Sequence, residues 1–396
     1  MKLTTTFLLA FLPTGLSTPL AAANFLQSAI DNGLALKTLN SLAVAKAFTK
    51  FKGQCNPLKV KYRREFRSLS KSERRKFVKA VQCLQSKPSL LPPGLVPASH
   101  SIYDDLIFAH ANRTGFVHQT ATFLLFHRYY LQTYEDALEK YCGWKGALPY
   151  WEWGLDIAGP HLSPLFDGSD ASLGSDGTYI PNRPPLVFNL TGPAFEVPPG
   201  TGGGCVHTGP FSDQVVRLGP FPSLATGLNF PLDESGLVGN PRCLDRDLNS
   251  YSIEKWASFK NTTELILHPA HRTIKYFQAN ADPDFRVLGA DSPLVMGPHG
   301  GGHSAIGGIA RDPAISPTDP AFWLTHAQLD RIYFIWQYQD FENRNDVYGT
   351  NTWFNIPPSN NVTVEDSIDI EPFSPSRKLK DLVNTISGAP FCYVYL

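Results

Sequence analysis

HGGGHSAIGGIARDPAISPTDPAFWLTHAQLDRIYFIW, residues His299 to Trp336, decides how the rest of this chain is read. It holds three histidines, His299, His303 and His326. The first two stand four residues apart, which sets both imidazoles on one face of a helical turn. The third opens a run whose apolar positions, Leu329, Ile332, Tyr333 and Trp336, recur at helical spacing. An upstream stretch, HANRTGFVHQTATFLLFHRYY, repeats the arrangement with His110, His118 and His127. His127 leads into an aromatic-rich helical run through Tyr134 and Leu138. Two trios, each closing on a helix, predict two metals facing each other across a helix bundle.

An H-x-x-x-H pair alone occurs by chance on surface helices; two trios in one chain are a stronger signal. Gly300, Gly301 and Gly302 are poor helix formers. Either the backbone there approaches something closely, or a helix only begins at that point. Neither trio contains a carboxylate at ligand spacing, although Asp104 and Asp105 precede the first block. Dinuclear hydrolases bridge zinc, manganese or iron with Asp or Glu, whereas an all-imidazole set suits copper. A copper pair held in this way takes dioxygen between its ions and oxidises an electron-rich phenol docked beside it.

The whole chain is consistent with an enzyme of that kind. Its 396 residues suffice for one large core or two smaller ones. Basic and acidic residues balance at 35 each, so no global field points to nucleic acid or a membrane surface. The locally basic Lys50–Lys79 segment reads as the solvated face of a helix whose core side is Phe66, Leu69, Phe77, Val81 and Leu84. The N-terminus has the form of a secretory signal over residues 1–23: Lys2, an apolar segment from Phe7 to Leu12, and small residues at Ala21–Ala23. That apolar stretch is too short, and too broken by Pro13 and Pro19, to span a bilayer. Six cysteines, an even set, fit an oxidising compartment. Cys205 and Cys243 are expected to staple the Pro/Gly-rich insertion, and Cys392 to tie the tail to the body. Sequons at Asn112, Asn189, Asn261 and Asn361 agree with secretion, but Asn112 follows a ligand too closely to be expected to carry a glycan.

Residues 24–54 read as an N-terminal arm or propeptide with one helix or two short ones. Ser70 with Glu73 forms a capping box for a helix to about Gln85. A second helix is expected from about Thr122 to Tyr141, capped by Gly143. Gly159 to Asn249 is dense in Gly, Pro, Ser and Asn, as surface loops around a site are. Helical pattern returns over Ser252–Phe259 and Leu265–Phe277. His100, His161, His207, His268 and His271 read as ordinary polar or supporting groups.

Three phrases carry a family resemblance: His118-x8-His127-Arg128-Tyr129, Pro149-Tyr150-Trp151-Glu152-Trp153, and Asp319-Pro320-Ala321-Phe322-Trp323-Leu324-Thr325-His326 followed by Asp330-Arg331. Over nearly the whole chain from Cys55, the sequence resembles the type 3 copper proteins, in particular the short fungal tyrosinases and catechol oxidases. The resemblance implies a mainly α fold, with a central antiparallel four-helix bundle, long irregular loops and little sheet, over residues 55–396. It implies one copper on His110, His118 and His127 and a second on His299, His303 and His326. Thr325 stands where many relatives carry a further histidine, so His326 is the candidate third ligand.

The same likeness pairs Arg128 with Asp330 between the ligand helices and makes Tyr348-Gly349 the close of the catalytic domain. Phe116 stands where many relatives carry a cysteine cross-linked to histidine, so no thioether is expected. Only 47 residues follow Gly349, which argues against latency imposed by a large C-terminal shield. Asp291, Gly300 and Ser304 are the candidate catalytic residues beside the second copper. In relatives that hydroxylate monophenols efficiently, an Asn occupies the Gly300 position and, with an upstream acid, orients a water. The implied activity is oxidation of o-diphenols, with monophenols or o-aminophenols as further candidates, to quinone products by dioxygen. A dedicated phenol-oxidising step in a biosynthetic pathway and a hemocyanin-like oxygen carrier are the alternatives.

Overall fold

A computed structural model describes residues 25–188, 194–221, 232 and 234–396. The expected leader and the sequon at Asn189 lie outside the described residues. The longer helices are α1 (Leu34–Ala47), α2 (Lys71–Ser86), α3 (Ile102–Ala111), α4 (Phe123–Cys142), α5 (Phe259–Leu267), α6 (Ile274–Ala281), α7 (Pro298–Ile306) and α8 (Ala321–Gln339). Sheet is confined, among the described residues, to five two-stranded pairs. Four strands, from two of these pairs, are used below: β1 (Lys61–Arg63), β2 (Leu186–Phe188), β3 (Phe195–Val197) and β4 (Tyr393–Tyr395).

The helices start and stop for local reasons. Ser70 and Glu73 close the expected capping box on α2. Gly143, left-handed at φ 68°, ends α4, and the amides of Gly143 and Trp144 bond back to the carbonyls of Glu139 and Leu138. The helix carrying His326 begins at Ala321, five residues earlier than its apolar spacing suggested, because Asp319 Oδ1 accepts the Ala321 N–H at 2.8 Å. Between Ser250 and Phe277 the expected helices are more broken than their pattern. A π-turn spans Ile253–Ala257, Ser258 restarts the chain as a cap, and Pro269 separates α5 from α6. Proline lacks the N–H that a continuous helix needs there.

Helices α3, α4, α7 and α8 form the bundle, and its filling is aromatic. Tyr134 and Trp323 stack at 3.7 Å between α4 and α8. Tyr130 donates its hydroxyl to the Leu106 carbonyl of α3 at 2.6 Å, and Trp323 Nε1 donates to Tyr103 at 3.1 Å. The glycines of α7 permit its close approach. A Cβ at Gly301 would lie 2.8 Å from Trp256 Cβ, and one at Gly302 would lie 2.7 Å from the Trp153 ring.

Both ends of the described chain pack into this body. Leu36, Leu39 and Ala43 of α1 are buried, and Asn40 bridges Arg331 of α8 to the Tyr395 carbonyl. Strand β4 runs parallel to β1, Lys61 opposite Tyr393. Disulfides join Cys55 to Cys392, Cys83 to Cys142 and Cys205 to Cys243, matching both expected staples. All six cysteines are thereby used, which leaves none for a thioether. No helix among the described residues is long and apolar enough to cross a membrane.

Candidate metal centre

All six histidines of the two trios converge at the middle of the bundle. His110 sits in the last turn of α3, His118 follows the single turn Thr114–Val117, and His127 lies in the second turn of α4. His299 and His303 occupy successive turns of α7, and His326 the second turn of α8. Within each trio the potential ligand nitrogens lie within 4.8 Å of one another. Across the gap between trios His127 and His326 stack at 4.3 Å, and His118 lies 6.3 Å from His299 with near-parallel rings.

The outer nitrogens show how the rings are aimed. Nδ1 lies 2.8 Å from the Ala314 carbonyl in His110, 3.1 Å from that of Thr114 in His118, and 2.8 Å from that of Phe123 in His127. His303 Nδ1 faces the Ala310 carbonyl at 2.7 Å, and His299 Nδ1 faces Asp282 Oδ1 at 3.1 Å. An acceptor at Nδ1 fixes the proton there and leaves the Nε2 lone pair free. Those lone pairs then point at one another, with Nε2 atoms 3.3 Å apart in His110 and His127 and 2.9 Å apart in His303 and His326. Neutral nitrogens so opposed repel unless a cation lies between them. The donor set fits copper on chemical grounds, since it is all imidazole. His326 Nδ1 is the exception, buried with no hydrogen-bond partner.

Burial disfavours the protonated form of five of the rings, as metal binding requires. It drives His110 down to about 3 and His118 to about 4, with the neighbouring imidazoles adding to the effect. His127, His303 and His326 are held well below their ordinary value by the same causes.

The site opens into a cavity of about 210 Å³ whose walls include His118, His299, His303 and Gly300. Phe188 and Phe195, from the hairpin β2–β3, stack at 5.1 Å on its wall. Trp353 and Phe354 stack at 5.5 Å as another part of it. Gln119, directly after a ligand, ties Trp353 to the loop at Pro283. Its Oε1 accepts from Trp353 Nε1 at 3.1 Å, and its Nε2 donates to the Pro283 carbonyl at 2.7 Å. Gln119 and Phe354 hold φ of 48° and 53°, a left-handed conformation that costs a non-glycine residue about 1–3 kcal/mol. Neither Gln119 nor Trp353 had a sequence signal, since both lie on loops with no period.

The candidate catalytic residues fall in different places. Gly300 lines the cavity, and so does Ser304, whose hydroxyl accepts from Ser252 at 3.0 Å. Asp291 is exposed on the turn before α7. The acid that reaches a ligand is Asp282, seventeen residues before His299 and outside any helical spacing from it.

The comparisons with known proteins agree with this geometry. A sequence profile of the common central domain of tyrosinase matches residues 100–339. The chain is 34% identical over 365 residues to tyrosinase P of Aspergillus terreus, covering 90% of this chain and 98% of that protein. It is 32% identical over 355 residues to the N-acetyl-6-hydroxytryptophan oxidase ivoB of Emericella nidulans, covering 86% and 94% of the two chains. Among solved structures, a mutant polyphenol oxidase from Thermothelomyces thermophila superposes with a TM-score of 0.84 at 34% identity, over 93% of this chain and all of that one. A domain match of this extent, relatives of near-full coverage and two imidazole trios that fit a dinuclear copper site place the chain in the tyrosinase family of copper oxidases.

Proposed function

We propose that the protein is a secreted oxidase that converts o-diphenols to o-quinones with reduction of dioxygen to water, and that it handles diphenols faster than monophenols. Copper on the two trios supplies the electron transfer from phenol to dioxygen. The chain's own residues shape what can dock. The aromatic walls flank the histidines where a phenol ring would enter, and Gly300 offers no side chain of its own beside His299 that could hold a water. That absence carries the reading. A monophenol must lose its proton at the site before its ring is attacked, and a side-chain amide beside His299 would hold the water that takes it. Asp282, the acid nearest, is engaged with His299 Nδ1. Secretion is supported by the apolar N-terminal stretch and by three disulfides.

The test is oxygen uptake with 4-methylcatechol and with p-cresol, on protein whose copper is counted in the same sample. A p-cresol rate equal to or above the catechol rate refutes the preference. A second reading assigns one dedicated aromatic metabolite or a tyrosine-bearing peptide in a biosynthetic pathway. It is supported by the relative named for N-acetyl-6-hydroxytryptophan and by the breadth of the aromatic walls. A panel of simple catechols that all react slowly, beside a fast larger phenol, would favour it.

A further inference from the structure

One charged group in the cavity wall has no role in holding the histidines. Arg311 follows Ala310, whose carbonyl faces His303 Nδ1 at 2.7 Å, so its backbone is anchored next to the site. Arg311 is among the residues that line the cavity, with its side chain 16% exposed. Nη2 donates to the Ser304 carbonyl at 3.1 Å, and Nη1 reaches Asp247 Oδ2 at 3.4 Å. Nε is buried and has no partner.

The charge of Arg311 is poorly matched. Asp247 pairs more closely with Arg183, at 2.8 Å, so one carboxylate serves two guanidinium groups. Asp245 acts on Arg311 more weakly than Asp247 does. Asp312, also in the wall, accepts the amides of Ala314 and Ile315, and Asp282 faces His299. Much of the remaining wall is apolar, with Phe195, Val295 and Met296 among its residues. A cation without full compensation in such surroundings attracts an anion strongly, and a guanidinium fork suits a carboxylate.

We propose that Arg311 determines substrate specificity by binding a carboxylate on the substituent of the phenol, away from the reacting ring. The substrate class is thus a phenol or catechol bearing an acidic side chain. This rests on the phenol-oxidase reading of the site and adds a residue and a ligand chemistry to it.

The experiment measures binding rather than turnover. Calorimetry on the copper-loaded protein compares 3-phenylpropionate with 3-phenylpropanamide, which differ in charge and not in shape. The acid is expected to bind about tenfold more tightly or better, as a charged hydrogen bond implies. The Arg311→Gln variant should lose that difference, and Arg311→Lys should keep part of it. Equal binding of acid and amide by the parent protein overturns the proposal. So does an acid preference that survives in Arg311→Gln, since the carboxylate would then be held by the metal or another group. If Arg311→Gln fails to fold, the parent and Arg311→Lys decide: a preference as large in Lys as in Arg also overturns it. Oxygen uptake with 4-methylcatechol is recorded separately, so failure of the diphenol reading is seen apart from failure of this one.

Discussion

Arg128 Nε donates to Asp330 Oδ1 at 2.6 Å, joining the helix that carries His127 to the helix that carries His326. Both side chains are buried. The second oxygen of Asp330 accepts the hydroxyls of Tyr393 and Tyr395, each at 2.6 Å, so β4 completes the same network. Arg128→Ala removes the nearer of the two cations on that buried carboxylate, Arg63 lying 3.6 Å from Oδ2, and should cost roughly 3–5 kcal/mol. Copper retention should fall with it, because the pair sets the spacing of two ligands. Urea unfolding and metal analysis of the same preparation check both, and a variant as stable as the parent would remove the pair from the account.

Gln119→Ala should raise KM for 4-methylcatechol about threefold to tenfold, the equivalent of a net hydrogen bond or so. The amide bridges Trp353 and the Pro283 carbonyl, so its loss frees an aromatic wall of the cavity rather than a ligand. The copper content should stay near that of the parent. A drop in copper with unchanged KM would mean that the amide supports His118 instead.

Gly300→Asn should raise the rate on p-cresol relative to 4-methylcatechol. The new Cβ would stand 2.8 Å from Met296 Cγ, a contact that a flexible side chain can relieve by turning away. Combining it with Met296→Ala removes the crowding, so the double variant separates a steric failure from a chemical one. No change in the ratio of rates in either protein counts against the water-holding argument.

The metal-free protein should lose stability as the pH falls below 6.5. His110 and His118, with ordinary values of 6.5, are pushed down to about 3 and 4 in the folded chain. Between those limits the unfolded chain binds more protons than the folded one, so stability declines through that window as pH drops. Calorimetric melting at pH 7 and pH 4.5 measures it. Equal melting temperatures, after allowance for the carboxylates through a His110→Gln control, would show that these rings are not buried neutral.

How far the site can be read without coordinates depends on where each residue lies. The six histidines were legible because five of them ride on helices and their spacing repeats. Arg128 and Asp330 were legible through the family resemblance, which pairs the positions that follow the ligands on these two helices. Asp282, Gln119 and Trp353 were not, since loops with no periodicity bring them to the cavity. The two left-handed residues there show why: a backbone held in a disfavoured conformation by its surroundings leaves no local trace in composition. The start of α8 was misread for a different reason. Apolar spacing reports the buried face of a helix, whereas its first residue is set by Asp319 and Pro320.

The facing Nε2 lone pairs carry a consequence for the supply of metal. Nothing in an all-imidazole trio refuses zinc, which such ligands also suit, although affinity alone places it below divalent copper. A zinc-loaded chain would fold, keep its ligand helices together and transfer no electrons. The fraction of active protein is therefore set where the chain meets its first ion, by which metal is plentiful in that compartment. Recombinant material that is well folded and colourless should accordingly regain oxygen uptake when its metal is stripped and replaced with copper.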